Sequence, residues 1–399
     1  MHYIVRDIEN PINAALKRNK SVLLLGARQT GKTTIVNQLK SDLSLSLVRP
    51  DLRLRYEKNP SLLTQEVSAL VSAKSGRRPL VILDEIQKVP DLLDAVQDLI
   101  DRKTANFVLT GSSARKLKKG SHINLLPGRV VSLNLNPLSI LEKTPQNLSQ
   151  SLLYGSLPGI IALKNNQTKD IDLSSYVTTY LEEEVRTEAI VRSLGAFARF
   201  LEFAATESGN IINLRKLSQN IGVAHTTIAS YFQILEDCLI IKRIDSISKS
   251  LTRKKLTKSS KYLFFDLGVR RLAAKEGSQL PSETMGKLFE QFIGLELLRA
   301  FHLSNETKLK FWRDPNGPEV DWIIETRKEY IPLEIKWSNS PSIKDIKGIQ
   351  PFLNEYNRAK CGYIICRCPR RMQLAKNIIA IPWQELPTLL KSVDINENF

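Results

Sequence analysis

The sequence predicts an α/β protein: a parallel sheet with helices on both faces, then a helix-turn-helix unit, then a second α/β region. Three observations predict it. The apolar run Val22 to Leu25 leads into Gly26-x-x-x-x-Gly31-Lys32-Thr33 and on into a helical stretch, Thr34 to Lys40, which is the strand, loop, helix order of a phosphate-binding loop. A second apolar run, Leu80 to Leu83, ends in the adjacent carboxylates Asp84 and Glu85, and open parallel sheets carry their ligands at strand carboxyl ends. Near the C-terminus, Leu309 to Arg313, Glu319 to Glu325 and Tyr330 to Trp337 are short alternating runs separated by polar turns and read as hairpin strands.

Length and composition frame this reading. A chain of 399 residues exceeds one ordinary core and implies two or three domains. No apolar run approaches the ~18–20 residues that cross a bilayer, and the start, Met1 to Asp7, lacks the order of a signal peptide. A cytoplasmic protein without a membrane partner is expected. Cys238 stands alone while Cys361, Cys366 and Cys368 fall in one short stretch, so no disulfide framework is expected, and buried thiols on a final strand, Gly362 to Cys366, account for the trio better than an iron-sulfur cluster. His2, His122, His225 and His302 show no zinc-ligand spacing. A net charge of +17 suggests a polyanionic partner, nucleic acid first, because Lys and Arg gain affinity by releasing condensed counterions; the alternative is a solvated basic surface with no partner.

The loop assigns chemistry to residue types. Gly26, Ala27, Arg28, Gln29, Thr30, Gly31, Lys32, Thr33 and Thr34 form the nucleotide cradle, in which backbone N–H groups turn toward phosphates, Lys32 reaches the β- and γ-phosphates and Thr33 ligates Mg²⁺. Asp84 is expected to hold the Mg²⁺ shell, and Glu85 to orient and deprotonate the attacking water. A third strand, Asn106 to Thr110, ends in Gly111-Ser112-Ser113 and offers Ser112 as a sensor of the γ-phosphate or the water. Arg129, in Pro127-Gly128-Arg129, is the candidate cation for the γ-phosphate, in its own subunit or as a finger offered to a neighbour; the alternative is an ordinary surface ion pair.

Gly26 to Thr34, Leu83-Asp-Glu-Ile-Gln-Lys88, Leu109-Thr-Gly-Ser-Ser113 and Pro127-Gly-Arg129 together resemble the prokaryotic AAA-superfamily ATPases fused to a C-terminal domain of unknown function. The resemblance runs from about Tyr3 to about Cys366. Arg49-Pro50-Asp51 departs from it, since the family more usually shows Leu-Asp there. The resemblance implies an α/β fold of P-loop AAA-type parallel sheet with helices on both faces, followed by a winged helix-turn-helix and an α/β restriction-endonuclease-like domain. The expected layout is an ATPase domain over 1–165, a helical connector over 166–208, the winged helix-turn-helix over 209–265 and the nuclease-like domain over 266–399.

In the connector, Leu201, Ala204 and Ala205 share one face of a helical pattern over 176–207 and Glu182, Glu183 and Glu184 another. Ile212 to Phe232 then reads as helix, tight turn at Gly222, and a second helix starting near Ala224. Ile221, Val223, Ile228 and Leu235 are expected in its core, with His225, Thr226, Thr227, Ser230 and Tyr231 reaching toward a nucleic-acid groove. None of these five is Arg or Lys, so a protein-docking unit is an equal reading. Residues 242–261 carry eight cations (Lys242, Arg243, Lys249, Arg253, Lys254, Lys255, Lys258 and Lys261) against Asp245 alone, a composition suited to phosphate backbone.

In the last third, strand alternation puts Glu334 and Lys336 on one face, and a register that brings Asp321 beside them makes an acid, acid, lysine cluster. That cluster resembles the PD-(D/E)xK nucleases. The resemblance implies that Asp321 and Glu334, completed by Glu290, hold a second Mg²⁺ or Mn²⁺ and that Lys336 stabilises charge on the attacked phosphate; the alternative is a scaffold in which Glu334 and Lys336 form a plain salt bridge. Two functions follow from the whole. One is an ATP-hydrolysing protein acting on nucleic acid, DNA favoured, as a homo-oligomer with a ring allowed. The other is an ATP-dependent switch that docks a protein partner.

Overall fold

A computed structural model of the chain describes residues 3–73, 77–113, 126, 128–143, 147–181, 194–247, 260–304, 306–314 and 317–394. Its N-terminal part is a five-stranded parallel sheet of β1 (Ser21–Leu25), β2 (Leu43–Ser46), β3 (Leu80–Asp84), β4 (Asn106–Gly111) and β5 (Val130–Asn134), in the order β2-β3-β4-β1-β5. The central strands β1 and β4 are buried along their whole length, as continuous apolar runs must be when both faces are covered. Leu23, Leu25, Leu83 and Leu109 pack on one face with Leu63, Val67, Leu92 and Val96 from helices Leu62–Ala73 and Leu92–Asp101. Val22, Leu24, Ile82 and Val108 pack on the other with Ile12 and Ile35 from helices Glu9–Lys17 and Lys32–Val36. Parallel pairing therefore brings the ends of β1, β3 and β4 to one edge of the sheet.

The middle of the chain is helical. Tyr154, Leu157 and Ile160 share a core with Leu173, Phe200, Leu217, Phe232 and Val269, so the stretch just before residue 165 packs with the helices that follow it. Tyr176–Leu181 continues as a π-helix and Leu194–Thr206 as an α-helix; Leu201, Ala204 and Ala205 are buried as the pattern requires, while Glu182, Glu183 and Glu184 lie outside the described residues. Helix Leu214–Ile221 starts at Asn213, whose side chain accepts from the Arg215 and Lys216 N–H groups, and ends at the left-handed Gly222. Helix His225–Asp237 follows, then the antiparallel pair β6 (Ile241–Asp245) and β7 (Ser260–Phe264).

Two expectations for this unit are corrected. Tyr231 is buried, its ring 5.0 Å from Phe197 and 5.2 Å from Phe200, because it lies one helical turn from the core residue Ile228; His225, Thr226 and Ser230 remain exposed and Thr227 is half-buried. Lys261 is also buried, at 2% exposure, and is no surface cation. Lys242 is exposed and Arg243 pairs with Asp245 at 2.8 Å. Lys249, Arg253, Lys254, Lys255 and Lys258 lie outside the described residues.

The last third is a mixed six-stranded sheet of β8 (Lys308–Arg313), β9 (Glu319–Glu325), β10 (Tyr330–Ile335), β11 (Gly362–Cys366), β12 (Met372–Ala375) and β13 (Ile378–Pro382). Its strand order is β12-β13-β11-β10-β9-β8. The expected hairpin is the antiparallel β8, β9, β10 meander. β11 is not the final strand: it pairs in parallel with β10 and with β13, which in turn pairs with β12. Helix Ser282–Ala300 covers the sheet with Phe289, Phe292, Ile293 and Leu297. Cys238, Cys366 and Cys368 are buried and Cys361 half-buried, none of the four in a disulfide. No helix among the described residues is long and apolar enough to cross a membrane.

Candidate nucleotide site

The loop after β1 is held by glycines and by partners from distant segments. A Cβ at Gly26 would lie 2.6 Å from the Leu135 carbonyl oxygen, and Gly31 takes φ +103° before the helix that starts at Lys32, so neither position tolerates a side chain. Thr30 Oγ1 donates to the Ala27 carbonyl at 2.8 Å. Lys32 is 5% exposed and donates to the carbonyls of Gly26 (2.8 Å) and Ala27 (3.1 Å). Burial pulls its ammonium below the usual lysine range, opposed by Glu85 and Asp84.

The ends of the three central strands converge as the sequence predicts. Asp84 is 3% exposed and accepts from Thr33 Oγ1 at 3.2 and 3.1 Å, from Thr110 Oγ1 at 2.6 Å and from Ser46 Oγ at 3.4 Å. A threonine hydroxyl beside a carboxylate is a hard oxygen donor pair, so these two residues fit Mg²⁺. Glu85 adopts φ +59°, with its N–H on Thr110 Oγ1 at 2.9 Å. That turn separates the neighbouring carboxylates: Asp84 faces Thr33, whereas Glu85 Oε1 lies 3.6 Å from the Lys32 ammonium and Oε2 accepts from Ser112 Oγ at 3.0 Å.

Three further residues were not found from the sequence. Gln87 Nε2 donates to Glu85 Oε2 and to Ser112 Oγ, the latter at 2.9 Å. Arg6, 5% exposed, donates to the Thr30 carbonyl (2.9 Å), the Asn136 carbonyl (2.7 Å) and Glu142 Oε1 (3.0 Å). On the other flank, the Tyr176 hydroxyl donates to the Arg28 carbonyl at 3.2 Å, and the Arg28 guanidinium lies 4.6 Å over the Tyr180 ring. The segment gripped by Arg6 also meets the C-terminal helix Ser282–Ala300: the Ile140 N–H donates to Glu296 Oε2 at 2.7 Å and Arg299 donates to the Leu138 carbonyl at 3.2 Å.

Arg129 is placed differently from its expected role. It immediately precedes β5, whose first residue pairs with Ser21 at the start of β1, so it sits at the sheet edge opposite the phosphate loop. There its guanidinium is bidentate to Asp101 at 2.7 and 2.9 Å. It does not meet a γ-phosphate in its own subunit, because parallel pairing puts the starts and ends of strands at opposite edges.

In the C-terminal sheet, the register does set Asp321 beside Glu334, one step beyond the Trp322–Leu333 pair. Glu334 is 8% exposed; its Oε1 accepts from Lys336 Nζ at 2.7 Å and its Oε2 is buried without a hydrogen-bond partner. Asp321 Oδ2 accepts from the Ile335 N–H at 2.8 Å. Burial, reinforced by Glu290 and Glu334, pushes the Asp321 carboxyl well above the usual range. Glu290 faces the same cluster, but its Oε1 is taken by Lys261 Nζ at 3.1 Å. No group of three or more His, Cys, Asp or Glu among the described residues is placed to hold a metal ion, so the expected set of Glu290, Asp321 and Glu334 does not fit a second metal here.

Comparison with known proteins agrees with the N-terminal geometry. Residues 18–144 match the AAA domain. The site they carry is that of a P-loop ATPase. Residues 145–280 and 285–386 match two separate domains of unknown function. An uncharacterized protein, Rv2008c, of Mycobacterium tuberculosis (strain H37Rv) is 26% identical over 385 residues, covering 96% of this chain and 84% of the relative. The uncharacterized protein Mb2031c of Mycobacterium bovis matches at the same identity and coverage. Among solved structures, C. elegans PCH-2 aligns at a TM-score of 0.29 and 14% identity, covering 59% of this chain and 70% of that one. A Drosophila ORC structure bound to AT-rich DNA and Cdc6 aligns at 0.27 and 9%, covering 68% and 90%. TM-scores this low do not define a common fold.

Proposed function

We propose that the protein hydrolyses ATP at the Gly26–Thr34 loop and acts on nucleic acid, the nucleotide state setting the position of its helix-turn-helix and C-terminal sheet. The convergence of Thr33, Asp84, Glu85 and Ser112 at one sheet edge carries this reading. Gly26 to Thr34 cradle the phosphates, and Lys32 exchanges its loop carbonyls for phosphate oxygens. That exchange takes the ammonium from Glu85, which accepts a proton from water as the water's oxygen bonds the γ-phosphorus. The bond to the β-phosphate oxygen breaks, giving ADP and phosphate. Mg²⁺, held by Thr33 and Asp84, supplies charge neutralisation on the phosphates. Ser112 and Gln87 fix the direction of the Glu85 carboxylate.

Nucleotide-dependent movement of the loop reaches the rest of the chain through Arg6 on one flank and Tyr176 on the other, a physical link between phosphate contacts and the C-terminal helix. We read the helix-turn-helix with its β6–β7 hairpin as a winged helix, and the last sheet as a nuclease-like scaffold. The fit of Lys261 within the acid cluster favours a scaffold over a metal-dependent nuclease. Assembly into homo-oligomers is part of the proposal, in which Arg129 would leave its pair with Asp101 to serve a neighbour.

The test is ATP turnover of the full chain with and without duplex or single-stranded DNA, together with DNA affinity across a salt series. Stimulation of turnover, and affinity that falls steeply between 50 and 200 mM salt in the manner of about six or more phosphate contacts, is expected. Turnover indifferent to DNA, with no salt-dependent binding, would move the reading to a switch that docks a protein.

A further inference from the structure

The acid cluster of the C-terminal sheet already contains a cation. Lys261, from β7 of the hairpin, inserts its ammonium between Glu290 on helix Ser282–Ala300 and Glu319 on β9, 3.1 Å from an oxygen of each. The aliphatic stem is fully enclosed, with the Trp322 and Phe311 ring centroids 4.9 and 5.3 Å from the ammonium. Carboxylates and aromatic faces around one buried lysine form a closed cation site. The next acids inward, Asp321 and Glu334, take their hydrogen bonds from the Ile335 N–H and Lys336.

We propose that Lys261 is the resident cation of this acid cluster and excludes divalent metal from it. A metal needs several oxygens at ~2.0–2.6 Å from one point, and Glu290 and Glu319 can supply theirs only if the ammonium leaves. The strand of Lys261 pairs with β6 across Ile241–Asp245 and bridges Ile211, which holds the Lys261 backbone beside the cluster. In the same cluster, Glu334 Oε2 is buried without a hydrogen-bond partner. This inference stands independently of the ATPase reading, since it concerns a different sheet and requires no nucleotide.

The experiment is a Mn²⁺ titration of the nucleotide-free full chain, followed by the electron paramagnetic resonance signal of free Mn²⁺. Wild type is expected to show no saturable site that depends on Asp321. Lys261→Met, which keeps the packing against Phe311 and Trp322 and removes the charge, is expected to acquire one saturable Mn²⁺ site per chain, lost again when Asp321→Asn is added. Lys261→Arg is expected to remain closed. A wild-type site abolished by Asp321→Asn overturns the proposal, and so does a folded Lys261→Met protein that binds no Mn²⁺. Should Lys261→Met not fold, Lys261→Gln takes its place in the same comparison, with gain of an Asp321-dependent Mn²⁺ site supporting exclusion and its absence refuting it.

Discussion

Glu85→Gln lowers ATP turnover by about 100-fold or more while leaving ATP affinity within about threefold of wild type, the range expected when a general base is removed and its shape retained. The geometry gives the reason. Glu85 is turned away from Asp84 by its left-handed backbone, so it lies outside the Thr33–Asp84 pair that fits Mg²⁺, and the amide keeps the hydrogen-bonding outline that Ser112 and Gln87 engage. Replacing the charge also removes the 3.6 Å attraction on Lys32, which acts in the nucleotide-free protein and does not weaken ATP binding. Single-turnover phosphate release alongside equilibrium ATP binding separates the two quantities. Equal loss of binding and turnover would show that Glu85 shapes the loop instead of the chemical step.

Asp266→Ala destabilises the protein by about 3–5 kcal/mol, because three backbone donors lose their acceptors in a dry interior. Asp266 is wholly buried and caps helix Leu267–Ala273, with Oδ1 accepting from the Gly268 and Val269 N–H groups at 2.9 and 3.2 Å. Its Oδ2 accepts from the Ser156 N–H at 2.6 Å, fastening the chain after helix Leu148–Tyr154 to a residue more than a hundred positions later. Asp266→Asn retains one acceptor oxygen and loses less, about 1–2 kcal/mol. Urea unfolding followed by circular dichroism measures both; a loss below about 1 kcal/mol for the alanine variant is incompatible with a buried cap of this kind.

The ATPase half of the site was legible because its determinants are local. Gly26, Gly31, Lys32 and Thr33 lie within one turn-and-helix segment, and Asp84 and Ser112 follow apolar runs that must lie parallel and end together. The residues that hold this site in place were not legible. Arg6 and Glu142 are far apart in sequence, and Gln87 gains its role only from the left-handed turn at Glu85. Arg129 was misplaced because a short motif does not say which edge of a sheet it occupies. Tyr231 was misread because an aromatic residue on a helix with an exposed face suits either surface, and the deciding neighbours, Phe197 and Phe200, come from another helix. The same limit applies to Lys261: in the sequence it is one more cation in a basic run, and only the packing of β7 against helix Ser282–Ala300 and β9 makes it the counterion of Glu290 and Glu319.

Steady-state phosphate release from ATP and Mg²⁺ by the purified full chain, compared with Asp84→Asn, tests the central claim most directly. Asp84 accepts from the Thr33 and Thr110 hydroxyls and would hold Mg²⁺ together with Thr33. The expected result is Mg²⁺-dependent turnover in the wild type that falls to background in Asp84→Asn, with both proteins folded. Absence of turnover in the wild type, or turnover that survives the substitution, would contradict the assignment of ATP hydrolysis to this site.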